Sequence, residues 1–190
     1  MSKNIVELRP IVSLTNFDAV AISESWLTKN TPIDRYQIDN FTLFRKDRVN
    51  KRGGGVALYI RDHYKAKVIK TSCSNEIPEM IWVEVTAGNK QLAIGCLYKA
   101  PKIPCGVFVN LYECLIQIYA KYDHTVLLGD FNINMLDLNS NNSKVLLDSI
   151  IEPFSLTQLI DKPTRITENS KTLIDLIVVN KPENVLFPSC

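Results

Sequence analysis

The chain has 190 residues, 46% hydrophobic and 22% charged, a balance that fits one globular domain with a substantial core and excludes a disordered tract. Its formal net charge of +2 is close to neutral, so a polyanion would be held by a local basic surface and not by the field of the whole molecule. Five cysteines with no C-x-x-C pair and no histidine at zinc spacing argue against a structural zinc, and neither a signal-like N-terminus nor an apolar run of about 18 residues supports secretion or membrane spanning. An intracellular, reducing compartment is the expectation.

Asn4 to Leu14 spaces Ile5, Leu8 and Val12 near helical intervals, and Pro10 must lie near the start of that helix or bend it. Phe17-Asp-Ala-Val-Ala-Ile-Ser-Glu24 follows as a short apolar run with acidic residues toward its ends. Phe41 to Phe44 reads as a short strand. After it come a basic stretch from Arg45 to Arg52, a Gly53-Gly-Gly turn and the strand Val56 to Ile60. A second basic stretch spans Arg61 to Lys70. Both basic stretches read either as a solvated loop or strand edge, or as a surface for a polyanion. Met80 to Val85, a turn at Ala87-Gly-Asn-Lys90, and Gln91 to Tyr98 form a β-hairpin pattern. Val107 to Tyr119 and Asn142 to Ile151 each place apolar residues at three- and four-residue spacings, the stripe of an amphipathic helix. A loop of turn formers, Asp137 to Asn141, separates Thr125-Val-Leu-Leu-Gly-Asp130-Phe-Asn132 from the second of these helices, and Thr172-Leu-Ile-Asp175-Leu-Ile-Val-Val179 comes last. Strands and helices therefore interleave in one domain, with a mixed sheet and no linker that divides the chain.

Three of these runs, rich in Val, Ile and Leu, read as strands buried on both faces, and each delivers a carboxylate. An unpaired buried carboxylate is costly, so Glu24, Asp130 and Asp175 point to one shared polar centre, either a metal site or a hydrogen-bonded cluster. Asp130 and Asn132 lie two apart, which in extended geometry aims both side chains to one side. The pair could hold a water and a phosphate oxygen, or could simply close the strand in an Asx turn. Glu24 serves either as the first-turn acid of a following helix or as one oxygen ligand of a hard cation. Asp175, flanked by Ile174 and Leu176, faces a solvated cleft or has a specific partner. Tyr98, just ahead of Lys99-Ala-Pro101, is placed either to donate to a developing phosphorane charge or to pack on its neighbours. Thr164 and Arg165 offer a phosphate contact or an ordinary surface loop. His63 reads as a surface residue, and His124 begins the run that ends at Asp130, about 20 Å away at ~3.3 Å per residue.

Taken in order, these segments resemble the endonuclease/exonuclease/phosphatase superfamily, specifically the endonuclease domain of jockey-like non-LTR retrotransposons. The residues that carry the likeness are Ile22-Ser-Glu24-Ser-Trp26-Leu27, Gly53 to Ile60, Tyr98 with Pro101, Leu127-Leu-Gly-Asp130-Phe-Asn132-Ile-Asn134, and Thr164-Arg-Ile-Thr with Thr172 to Ile177. The resemblance implies a four-layer α/β sandwich, two mixed β-sheets face to face with helices outside. It also implies hydrolysis of a DNA phosphodiester with magnesium, or manganese in its place. By position it makes Glu24 the metal ligand, Tyr98 the transition-state tyrosine, Asp130 the residue that orients or activates water, Asn132 the phosphate-binding amide and Asp175 the acid that orients a histidine. An attached reverse transcriptase as partner and a nuclear site of action belong to the same implication, and no membrane does. The family's opening Asn-bearing strand and closing Ser-Asp-His element have no counterpart between Met1 and Cys190, so the resemblance implies a domain without its terminal strands and with impaired catalysis. Two other readings stand beside it: a catalytically inactive nucleic-acid binder that uses the basic stretches, and a phosphodiesterase of the superfamily acting on a lipid or inositol headgroup.

Overall fold

Residues 5–49, 51–72, 78–137 and 142–185 are described by the computed structural model, with side chains from residue 7 onward. Asn4, Cys73, Cys190 and loop positions 138–141 lie outside them. Helix α1 covers Ile5–Leu14 with Pro10 inside it, and strands β1 (Ala19–Ser23), β2 (Phe41–Lys46), β3 (Val56–Arg61) and β4 (Lys65–Thr71) follow. Next come β5 (Glu79–Ala87) and β6 (Lys90–Tyr98), helix α2 (Val109–Tyr119), β7 (His124–Asp130) and helix α3 (Asn142–Ile151). The short strands β8 (Thr157–Gln158), β9 (Arg165–Ile166) and β10 (Lys171–Thr172) lead to β11 (Asp175–Val179).

Alternation along β5 and β6 explains the layering. The expected hairpin forms with Glu79 opposite Tyr98 and Ala87 opposite Lys90, and Gly88 supplies the positive φ that such a tight connection requires. One face of the hairpin, with Met80, Trp82, Ala93 and Leu97, packs against Leu111, Leu115 and Ile118 of α2 and Leu147, Ile150 and Ile151 of α3. The opposite face, with Ile81, Val83, Ile94 and Cys96, packs against Val56, Leu58 and Ile60 of β3. A third cluster, with Val12, Tyr36, Ile38, Phe41 and Tyr59, covers the far side of the small sheet. Helices, large sheet, small sheet and the α1 layer thus make the four-layer α/β sandwich, each buried aliphatic or aromatic side chain contributing about 1.5–3 kcal/mol.

The large sheet has six strands in the order β4-β5-β6-β7-β11-β8, the small sheet three in the order β1-β3-β2, and β9 and β10 pair as a ribbon. The large sheet is mixed because α2 carries the chain back so that β7 lies parallel to β6, while β11 returns antiparallel to β7. Pairing in the small sheet is antiparallel.

Burial of the acidic runs departs from expectation. All five residues of β1 are only half-buried, since β1 is the outer strand of the small sheet: Ala19 and Ala21 face the inter-sheet core, Val20 and Ile22 the outer cluster, and its free edge stays open. Along β7 burial alternates, with Thr125 and Leu127 buried and Val126 and Leu128 less so. Arg61 to Lys70 proves to be the last residue of β3, a turn and the edge strand β4, where Lys65 and Lys67 are exposed, a placement that discourages pairing with another chain.

Candidate active site

Strand direction brings the acidic groups together. Because β6 and β7 are parallel and in register, their C-terminal residues Tyr98 and Asp130 are direct neighbours. Antiparallel β11 sets its first residue, Asp175, opposite Asp130, and antiparallel β5 sets its first residue, Glu79, opposite Tyr98. From the other sheet, Glu24 leaves the end of β1, and its Oε1 accepts a hydrogen bond from the Tyr98 hydroxyl. All five positions named for this site, Glu24, Tyr98, Asp130, Asn132 and Asp175, therefore lie on one rim where the two sheets meet.

The turn after β7 is tightly bolted. Gly129 has φ +147, and a Cβ there would lie 1.9 Å from the Leu97 carbonyl oxygen, so only glycine lets the strands approach before Asp130. The extended geometry assumed for Asp130 and Asn132 does not continue, because Asn132 adopts φ +46. Its N–H donates to Asp130 Oδ1 at 2.9 Å, closing an Asx turn, and its Nδ2 donates to the Lys99 carbonyl at 2.8 Å. Lys99 N–H in turn donates to the Asp130 carbonyl at 3.0 Å, and Phe131 N–H to the Ile174 carbonyl at 2.9 Å. The amide thus takes part in structure, bonding the Lys99 carbonyl and also the Asp130 carboxylate. Thr164 proves to be a support: its Oγ1 accepts the N–H groups of Ile174 and Asp175 at 3.2 and 3.1 Å. Arg165 is exposed on β9.

Electrostatics follow from burial beside like charges. Asp130 is pushed up to about 6, chiefly by burial; the N–H of Asn132 pulls it down, while the charges of Asp175 and Glu24 push it further up. Burial raises the Tyr98 phenol, helped by its bond to Glu24 and the charges of Glu24 and Asp130, so Tyr98 remains a proton donor at neutral pH. Asp175 is exposed and lines a cleft of about 250 Å³ with Ser23, Gly129, Thr164 and Leu176, in agreement with the solvated-cleft reading.

Two residues that the sequence did not single out, one of them inside the basic stretch Arg45 to Arg52, complete the rim. Glu79, 7% exposed, accepts Arg48 Nε at 2.7 Å, Arg48 Nη2 at 2.9 Å and the Gly55 N–H at 2.9 Å. The Arg48 guanidinium also lies over the Tyr98 ring, 5.7 Å from its centroid. Arg48 was hidden among basic neighbours that read as surface. The available signal was Glu79 itself, an acid at the head of a largely apolar strand. Replacing Glu79 with Gln should strand a part-buried guanidinium and cost about 3–5 kcal/mol, roughly 6–20 °C in Tm by thermal melting. An unchanged melt would show that the pair is dispensable.

A hard cation suits this donor set. Magnesium takes oxygen ligands and needs only one or two carboxylates, keeping waters for the rest. Glu24 offers a carboxylate, and the mutual repulsion recorded in Asp130's raised pKa is what a bound cation would relieve. Among the described residues no three His, Cys, Asp or Glu side chains come close enough to enclose an ion alone, so an ion held here would be largely hydrated.

The profile of the Endonuclease/Exonuclease/phosphatase family matches residues 1–189. The chain belongs to that family, whose members hydrolyse phosphoester bonds. No curated protein is significantly similar to it in sequence. Among solved structures it resembles the endonuclease domain of TRAS1, a telomere-specific non-LTR retrotransposon, with TM-score 0.67, 12% identity, and coverage of 93% of this chain and 77% of that one. It also resembles the AP endonuclease LMAP from Leishmania major, with TM-score 0.71, 13% identity and coverage of 93% and 74%. The 3′ phosphatase NExo from Neisseria, bound to a product DNA hairpin, aligns with TM-score 0.68, 16% identity and coverage of 95% and 82%. At such identities these likenesses establish the shared fold. Among the described residues no helix is long and apolar enough to cross a membrane.

Proposed function

We propose that this chain is a magnesium-dependent, DNA-nicking endonuclease domain of the non-LTR retrotransposon type. The observation that carries the reading is the meeting of Glu24, Tyr98, Asp130 and Asp175 from four strands at one rim, with Tyr98 bonded to Glu24 and Asp130 poised near neutrality. In this mechanism Asp130 accepts the proton of the attacking water, since a base titrating near the working pH is the most effective. Tyr98 donates its hydroxyl proton to the charge growing on the phosphoryl oxygens, and the Asn132 amide, which bonds Asp130 at rest, would turn an N–H to the same group. Glu24 would hold the metal, whose chemistry there is Lewis-acid neutralisation of phosphate charge. Asp175 raises the basicity of Asp130. In an intact element the nick's 3′-hydroxyl would prime an attached reverse transcriptase, and the nucleus would be the site of action.

A second reading, nucleic-acid binding without cleavage, draws support from the histidines. His63 is exposed with its ring tilted against that of Tyr64, 4.0 Å between centroids, and His124 lies at the opposite end of β7 from Asp130. Neither imidazole reaches the rim, and lacking such a group costs on the order of a hundredfold or more in rate. Conversion of supercoiled plasmid to open circle, with magnesium and with EDTA, separates the two. Magnesium-dependent nicking supports the first; salt-sensitive DNA binding without nicking supports the second.

Metal binding has its own readout. Saturating magnesium should raise the wild-type Tm, since ligand at 100 times Kd adds about 2.7 kcal/mol, roughly 5–10 °C for a domain of this size. In Glu24→Gln that rise should vanish. An equal rise in both proteins would move the ion away from Glu24.

A further inference from the structure

Beside the acidic rim stands an aromatic side chain whose backbone is under strain. Trp26 adopts φ +57, a conformation that bulky residues rarely occupy, and is 49% exposed. It is held there firmly: Trp26 N–H donates to the Gly54 carbonyl at 2.9 Å and Ser25 N–H to the Gly55 carbonyl at 3.0 Å. The glycine turn makes the arrangement fit. All three glycines have positive φ, and a Cβ on Gly54 would lie 2.2 Å from the Arg48 guanidinium, while one on Gly53 would lie 3.5 Å from the indole. Strain of about 1–3 kcal/mol retained at an exposed tryptophan calls for a use of the ring, because burial does not explain it.

Position and charge indicate the use. Trp26 follows Glu24 by two residues, and Gly55, the partner of the adjoining Ser25, is tied through Glu79 to Arg48 and so to Tyr98. The Arg52 guanidinium lies over the indole, 5.6 Å from the ring centroid. Arg48 is neutralised by Glu79, whereas exposed Lys51 and Arg52 join no ion pair among the described residues. A flat ring with unpaired cations beside a phosphate-handling site matches one ligand chemistry, a nucleobase carried on a phosphodiester backbone.

We infer that Trp26 is the stacking platform for a base next to the scissile phosphate, with Arg52 and Lys51 gripping the adjacent backbone. This rests on the nuclease reading and adds to it the residue that positions the strand. Trp82 is fully buried, so quenching of exposed-indole fluorescence reports on Trp26.

Titration of wild type in EDTA with a short single-stranded oligodeoxynucleotide should quench that emission, and an abasic oligomer with the same backbone should not. Trp26→Gly, which removes the ring and relaxes the backbone, should weaken binding of the base-bearing strand roughly 5- to 100-fold without lowering Tm. Binding of the abasic strand should change less than about twofold, and Trp26→Phe should recover part of the loss. Equal losses on both oligomers, or binding without quenching while magnesium-dependent nicking persists, overturn the platform alone. If neither oligomer binds and plasmid stays uncut, the platform falls together with the reading beneath it.

Discussion

Asp130→Asn should abolish magnesium-dependent plasmid nicking, slowing it by about 10²- to 10⁴-fold, and at the same time make the protein more stable near neutral pH. Both effects come from one cause. The Asp130 carboxyl titrates at about 6 in the fold against 3.8 ordinarily, because burial and the charges of Asp175 and Glu24 disfavour ionisation. Between those two values the folded state binds more protons than the unfolded chain, so wild-type stability is greatest below the lower value and declines as pH climbs through the upper one. Asparagine has no such proton, and its Oδ1 can still accept the Asn132 N–H. Melting curves in EDTA should therefore coincide below about 3.8, separate between there and about 6, and stay apart above that, with the variant higher. Wild-type nicking should rise over the same interval as the carboxylate forms. A variant that melts lower at neutral pH, or nicks within tenfold of wild type, would remove Asp130 from the role of base.

Gly129→Ala should be the most damaging single methyl group in the chain. The new Cβ meets the backbone carbonyl of Leu97 at 1.9 Å, and neither strand can yield, since Lys99 N–H and Phe131 N–H anchor both sides of Asp130. Overpacking of about 1–3 kcal/mol adds to a comparable backbone strain, giving roughly 2–6 kcal/mol and a fall in Tm of about 5–20 °C. Nicking should be lost even below the new melting point, because the displaced strand end carries Asp130. A variant with near-normal Tm would mean that β6 and β7 separate more easily than their pairing suggests.

Local pattern made much of this legible. The β5–β6 hairpin, α2 and α3 follow from alternation and from three- and four-residue spacing, which depend only on neighbours in sequence. Convergence of Glu24, Tyr98, Asp130 and Asp175 could be argued because strand ends at the same rim of a layered fold meet. What escaped depends on tertiary detail. Half-burial of β1 comes from its place at a sheet edge, which the run Ala-Val-Ala-Ile-Ser does not encode. Asn132 leaves the extended conformation because Lys99 and Asp130 capture both its amide and its N–H. Arg48 looked like any loop cation until Glu79, 31 residues away, claimed it.

Tyr98 and Glu24 lie 74 residues apart in the chain, and Asp175 follows later still. A ribosome adding about 5–20 residues per second would release the last of these pieces roughly 8–30 s after the first. The facing of Asp175 and Asp130 consequently comes late in synthesis. Their confrontation waits for β11 to dock, by which time the hairpin and its covering helix have already been synthesised to absorb it.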